Sequence, residues 1–264
     1  MTEAVIEVIN LTKRFRMEGT RQMRTAVDGI SFSVYKGEIL GLLGESGCGK
    51  TTLARMLMHL VPATEGKILL DGTEVQSLPE RQFRKLRGKI QMVYQNPFDS
   101  LDPSKKIKSL LEEPMKIWFP GMRAEERNRR ILSALAECGL PEDSLSKKPA
   151  GFSGGQLQRI SIARALLAQP EILIADEVVS ALDVTIQAQI LRLLVKMRKE
   201  HHLTILFITH DLSVARSISD RIMVMQEGKI KGIGRPDAVL ENAQDDYIRA
   251  LDKAVFTFAG AVPE

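Results

Sequence analysis

An α/β fold built on a mixed, mainly parallel sheet is predicted by three features of this 264-residue chain. The runs Ile39-Leu40-Gly41-Leu42-Leu43, Ile172-Leu173-Ile174-Ala175 and Ile205-Leu206-Phe207-Ile208 are continuously apolar, as strands covered on both faces must be. A glycine-rich loop, Gly44-Glu45-Ser46-Gly47-Cys48-Gly49-Lys50-Thr51-Thr52, separates the first run from a helical pattern. Residues 5–9 and 30–34 instead alternate apolar and polar, which marks antiparallel strands with one wet face and predicts a peripheral antiparallel β subdomain.

The remaining elements follow in order. Lys67-Ile68-Leu69-Leu70 ends in the turn pair Asp71-Gly72. From about residue 102 to 151 the pattern turns helical, with Ile131, Leu132, Leu135 and Ala136 at three-to-four spacing, and Pro114, Pro120, Pro141 and Pro149 punctuate it. This stretch reads as a helical insertion. Ile222-Met223-Val224-Met225, Glu227-Gly228 and Lys229-Ile230 predict a hairpin, and no periodicity assigns the tail from about Gly234. The expected partition of the single domain 1–264 is a core with its β subdomain over 1–94 and 158–233, a helical subdomain over 95–157 and a tail over 234–264.

Composition narrows the class. A hydrophobic content of 44% with 27% charged residues is ordinary for a soluble globular protein. No stretch approaches the ~18 apolar residues of a membrane-spanning helix, so any membrane contact is expected to run through a partner. The N-terminus lacks the basic segment and apolar core of a signal peptide, which predicts a cytoplasmic chain. Cys48 and Cys138 give neither a disulfide framework nor a metal-spaced set. The balance of 37 Lys+Arg against 33 Asp+Glu, net +4, is too small to argue for nucleic acid, and the basic clusters at 81–89 and 123–130 are mixed with Glu and read as solvated helix faces.

Two constellations carry chemistry. A G-x-x-x-x-G-K-T loop between a buried strand and a helix is a phosphate cradle: its glycines let backbone N–H groups turn inward around phosphate oxygens, Lys50 brings a point charge to the β- and γ-phosphates, and the Thr51 hydroxyl can ligate Mg²⁺. The core is therefore expected to be of the P-loop NTPase type, binding a nucleoside triphosphate. The second constellation is Asp176-Glu177, delivered by a buried strand to its C-terminal end, the ligand-binding edge of such folds. Asp176 can hold Mg²⁺ directly or through water, while Glu177, one residue on and pointing elsewhere, is free to orient and deprotonate an attacking water.

A third element is Phe152-Ser153-Gly154-Gly155-Gln156-Leu157-Gln158-Arg159, in which Ser153 can cap the helix that follows and a Gly-Gly start admits a phosphate closely. Placed between the phosphate loop and Asp176-Glu177, it resembles the signature motif of the ATP-binding cassette (ABC) ATPases. Gln95 resembles that family's lid glutamine, which contacts Mg²⁺ or water and reports to the transmembrane partner. Ser180-Ala181-Leu182-Asp183 resembles the loop that reaches across the dimer, and His210 the switch histidine near the γ-phosphate. Phe15 resembles the aromatic that stacks on adenine, although an edge-strand core aromatic would look the same in sequence.

The resemblance covers about residues 5–234 and implies the following. The nucleotide is ATP with Mg²⁺; Glu177, His210 and Gln95 are catalytic; Thr51, Gln95 and Asp176 hold the metal. ATP is contacted by Phe15, Gly44, Ser46, Gly47, Cys48, Gly49, Lys50, Thr51 and Thr52, and from a facing chain by Ser153, Gly154, Gly155, Gln156 and Asp183. Residues 95–103, residues 179–189 and the tail segment Tyr247-Ile248-Arg249-Ala250-Leu251 are similar to the importers of peptides or nickel, within which the chain resembles the second of two paralogous ATPases. Expected partners are therefore that paralogue as a heterodimer, two transmembrane permeases at the cytoplasmic face of the plasma membrane and, through them, an external solute-binding protein, with no nucleic acid. An ABC exporter is the alternative. A DNA-repair cassette is disfavoured because Thr52 and Phe152 lie only 100 positions apart, and a translation-associated one because the chain carries a single cassette. Two departures stand out: Phe152 replaces the common Leu, and Val178 stands where a proline usually follows the glutamate.

Overall fold

The computed structural model describes residues 3–17, 19–20, 22–241 and 245–259, the last seven as backbone alone. The chain opens with strands β1 (Ala4–Arg16), β2 (Met23–Tyr35) and β3 (Ile39–Leu43), then helix α1 (Lys50–Leu57), strands β4 (Glu65–Leu70) and β5 (Thr73–Glu74) and helix α2 (Glu80–Leu86). Strand β6 (Ile90–Val93), helices α3 (Ile107–Trp118), α4 (Ala124–Glu137) and α5 (Gly154–Leu166), strand β7 (Ile172–Asp176) and helix α6 (Val184–His201) follow. Strand β8 (Thr204–Thr209), helix α7 (Leu212–Ile218), strands β9 (Arg221–Gln226) and β10 (Lys229–Gly234) and helices α8 (Pro236–Glu241) and α9 (Asp246–Ala259) complete it.

Contacts group these elements into two units, Met1–Phe83 with Thr204–Glu264, and Arg84–Leu203. In the first unit, β2, β1, β4 and β5 form an antiparallel sheet in that order. The alternation read at residues 5–9 is kept only in part: Ile6 and Val8 are buried with Glu7 half-buried between them, but Val5 is buried as well, beside a register shift between Ala4 and Ile6, and Ile9 is exposed. A second layer places β3 between β8 and β9, parallel to both, with β10 antiparallel outside β9. Every residue of β3 and β8 is buried, which is why both read as unbroken apolar runs. The hairpin of β9 and β10 turns at Glu227 (φ 48) and Gly228 (φ 79), two successive positive φ values that suit the twist of paired strands. The tail that periodicity left open forms α8 and α9, which pack on a cluster of Leu43, Leu212, Ala215, Ile222, Val224, Leu240 and Ile248. Residues 242–244 and 260–264 of the expected tail lie outside the described residues.

In the second unit β6 and β7 pair in parallel, and α3, α4 and α5 pack together with Ile107, Leu110, Leu111, Met115, Ile131, Leu135, Leu157 and Ile160 in the core. One expectation is corrected here. Pro114 does not punctuate the chain but lies inside α3, where it cannot donate to the carbonyl four residues back. The Arg164 Nε supplies that bond instead, donating to the Leu110 oxygen at 3.3 Å, while its other nitrogens reach the Ser100 oxygen (3.1 Å) and Glu113 Oε2 (3.1 Å). A guanidinium from α5 thus repairs the proline's missing donor.

Candidate nucleotide site

The first unit holds the phosphate loop. Residues 44–49 run from the end of β3 to the start of α1, and the bend needs bare glycine at both ends: a Cβ on Gly44 (φ 154) would sit 2.3 Å from the Met225 oxygen, and one on Gly49 (φ 114) 2.2 Å from the Ala26 oxygen. The loop therefore rests on β9 and β2. The β9–β10 turn braces it from behind, the Gly228 N–H donating to the Cys48 oxygen at 3.0 Å and the Asp28 N–H to the Gly228 oxygen at 2.9 Å. Lys50 is 4% exposed, and its ammonium donates to the oxygens of Gly44 (2.6 Å) and Glu45 (2.9 Å). Ser46, Gly47 and Thr51 are exposed, Thr52 is half-buried, and Cys48 is buried. Burial pushes the Cys48 thiol above its ordinary range, with Lys50 opposing, so this thiol is protonated at neutral pH.

The same unit presents His210 and Phe15. Leu43 pairs with Thr209 across β3 and β8, so Gly44 and His210 leave the two strands side by side. His210 is exposed; Asp211 beside it caps α7 by accepting the N–H groups of Ser213 (2.8 Å) and Val214 (3.2 Å), which fixes the backbone on which the imidazole stands. Phe15, 40% exposed, pairs with Arg24 across β1 and β2 and carries the Lys13 ammonium 4.9 Å over its ring. Arg24 also approaches the loop, its guanidinium lying 3.7 Å from the position of a Cβ on Gly47.

The second unit holds the carboxylates. Val93 pairs with Ala175, so Gln95 and Asp176-Glu177 emerge at the same end of β6 and β7. Asp176 is 5% exposed. The Gln95 amide donates to Glu177 Oε2 at 3.2 Å and to Ser180 Oγ at 3.2 Å, and the Ser180 hydroxyl donates to the Glu177 backbone oxygen at 2.9 Å. Glu177 takes φ 48, and with valine at 178 no proline ring crowds that backbone. The sequence marks Ser180 only as part of a loop; its contact with Gln95 depends on a tertiary approach that no local pattern announces.

Ser153 forms the cap expected of it. Its hydroxyl accepts the Gln156 N–H (3.4 Å) while Gln156 Oε1 accepts the Ser153 N–H (3.0 Å), a reciprocal capping box. The two glycines differ. Gly154 is exposed, whereas a Cβ on Gly155 would lie 2.4 Å from Ile186 Cγ2, so the bareness of Gly155 serves contact with α6 and not, within this chain, a phosphate. Asp183 is exposed and caps α6 through the Ile186 N–H at 3.0 Å.

The family described as ABC transporter matches residues 27–180, more than half of the chain. The chain belongs to the ABC transporter family. It is 45% identical over 259 residues to the oligopeptide transport ATP-binding protein AppF of Bacillus subtilis, covering 96% of this chain and 78% of that protein. To the oligopeptide transport ATP-binding protein OppF of Escherichia coli it is 40% identical over 260 residues, again 96% and 78%. The ATP-binding cassette MJ0796, solved as a dimer in a post-hydrolysis state with ADP and Pi, matches with a TM-score of 0.80 and 31% identity over 88% of this chain and 98% of its own. A second solved structure that matches is cbiO1 of Clostridium perfringens, part of an ABC transporter complex, with a TM-score of 0.78 and 27% identity over 97% of both chains. The fold of this ABC family member is that of the cassette ATPases: mixed α/β, with parallel and antiparallel strands and helices, as the sequence predicts.

Proposed function

We propose that this chain is the ATP-hydrolysing subunit of an importer of oligopeptides. The observation that carries the reading is its near-full-length similarity to two oligopeptide transport ATP-binding proteins at 45% and 40% identity. Each unit supplies the groups the chemistry needs. From the first come the amides of residues 44–52 and the Lys50 charge for the phosphates, Phe15 for the base and His210 for the γ-phosphate. From the second comes Glu177 as general base, with Gln95 and Ser180 holding its position through the bonds described. The Thr51 hydroxyl, the Asp176 carboxylate and the Gln95 side-chain oxygen are hard oxygen donors of the kind Mg²⁺ takes. When bound, that ion neutralises charge on the β- and γ-phosphate oxygens.

The functional partition we propose is the core over 1–94 and 158–233, the signature-bearing helical subdomain over 95–157 and the tail over 234–264. Ser153, Gly154, Gly155, Gln156 and Asp183 act on the nucleotide of a facing, paralogous cassette, so ATP joins the two chains and hydrolysis releases them. No helix among the described residues is long and apolar enough to cross a membrane. Two permease subunits therefore supply the membrane path, with this chain on their cytoplasmic face and an external binding protein delivering cargo. The deciding measurement is the ATPase rate of the complex reconstituted in vesicles: low for the chain alone, raised by paralogue and permeases, and raised again by peptide-loaded binding protein. A lone chain with full activity, indifferent to every partner, would remove the importer reading.

A further inference from the structure

The tail segment 245–251 has no part in the chemistry above, yet it touches the phosphate loop. Tyr247, in the first turn of α9, places its phenolic oxygen 3.1 Å from the Glu45 nitrogen and accepts that N–H. The carbonyl of the same peptide group, the Gly44 oxygen, accepts the Lys50 ammonium at 2.6 Å. One peptide plane at the start of the loop is thus gripped from both sides, its N–H by the tail and its C=O by the lysine. A hydrogen bond at one end of an amide polarises it and strengthens the bond at the other.

The grip is anchored. Asp245 caps α9 by accepting the Tyr247 N–H at 2.9 Å, and its Oδ2 lies 3.3 Å from the Lys231 ammonium on β10. Ile248 is 3% exposed and packs in one cluster with Leu43, the residue before the loop, and Leu212, the first residue of the helix after His210. The helix lies flush on β10, since a Cβ on Gly232 would come within 2.9 Å of Ile248 Cδ1. Tyr247 itself is half-buried, and burial raises its phenol above the ordinary range, so the hydroxyl stays neutral at physiological pH.

We infer that Tyr247 is a positioning residue for ATP binding: it fixes the Gly44–Glu45 peptide and, through it, the oxygens that seat Lys50, setting the affinity of the loop without touching the nucleotide. This deepens the ATPase reading and rests on it. The test uses the full chain with Tyr247→Phe, which removes the hydroxyl and keeps the ring. ATP binding is measured by equilibrium titration, melting temperature without nucleotide, and KM and kcat in the reconstituted complex. Loss of one neutral hydrogen bond predicts a Kd and KM for ATP raised about three- to tenfold, kcat within about twofold and a melting temperature almost unchanged. Asp245→Ala, which frees the cap that orients Tyr247, should move KM the same way by a smaller factor. An ATP affinity unchanged in Tyr247→Phe, or a lowered melting temperature with unchanged affinity, would leave Tyr247 a packing residue and overturn the inference. A wild-type chain that neither binds nor hydrolyses ATP would instead defeat the ATPase reading itself.

Discussion

At the scale of single residues, Glu177 is held three ways: by its place after β7, by the Gln95 amide on its carboxylate and by the Ser180 hydroxyl on its backbone oxygen. Glu177→Gln keeps the shape and removes the proposed base, so hydrolysis should slow by roughly 10²-fold or more with ATP binding preserved. Single-turnover assays beside size-exclusion in ATP check this, the altered chain collecting as an ATP-joined dimer; an unaltered rate would sink the role given to Glu177. Lys50, Thr51, Asp176 and Glu177 were all legible in sequence because phosphate loops and strand-end acids are short, local patterns whose spacing survives in one dimension. Ser180 and Tyr247 were not. Their partners, Gln95 and Glu45, lie 85 and 202 positions away, and only packing brings them together.

Among elements, the helix starts were the most readable and the proline helix the least. A capping box spans four consecutive positions, so Ser153 and Gln156 announce the start of α5 directly. Pro114 signals a break by every local rule, and α3 continues through it because Arg164, 50 residues on, bonds the abandoned carbonyl. The tail escaped assignment because α8 has only six residues and what holds it and α9 in place is the distant cluster around Leu43 and Leu240. The contact between α5 and α6 yields a paired test. Gly155→Ala drives a methyl into Ile186 and should destabilise the chain by about 1–3 kcal/mol, as overpacking does, whereas Gly154→Ala meets only Leu182 Cδ2 at an ordinary contact distance of 3.7 Å and should stay within about 1 kcal/mol. Urea titrations of both variants measure the difference. Equal costs would mean that α6 gives way freely at Ile186.

For the whole molecule, the proposed pairing of two chains makes the signature helix act on a neighbour. Ser153→Asp separates the cap from the charge, since aspartate caps as well as serine but sets a negative group where a facing phosphate would come. Its own ATP affinity should hold within about twofold, while turnover of the paired complex falls by about tenfold or more; Ser153→Asn, capping without charge, should lose far less. Titration of the isolated chain and steady-state assays of the pair give the two readings. If Ser153→Asp weakened ATP binding in the isolated chain, the signature would be acting on its own nucleotide.

The unit that carries the phosphate loop is discontinuous, Met1–Phe83 closing only with Thr204–Glu264, whereas Arg84–Leu203 is one unbroken stretch. On the ribosome, residues 44–52 emerge early, yet what they rest on, Met225, Gly228 and Tyr247, is made more than 170 positions later. Until then β3 waits without β8 and β9, an apolar strand with both edges open and therefore prone to aggregate. The middle stretch, Arg84–Leu203, is complete before Thr204 is made. A product cut short before Met225 by a stalled ribosome or a premature stop therefore lacks the strand and turn on which the loop is seated.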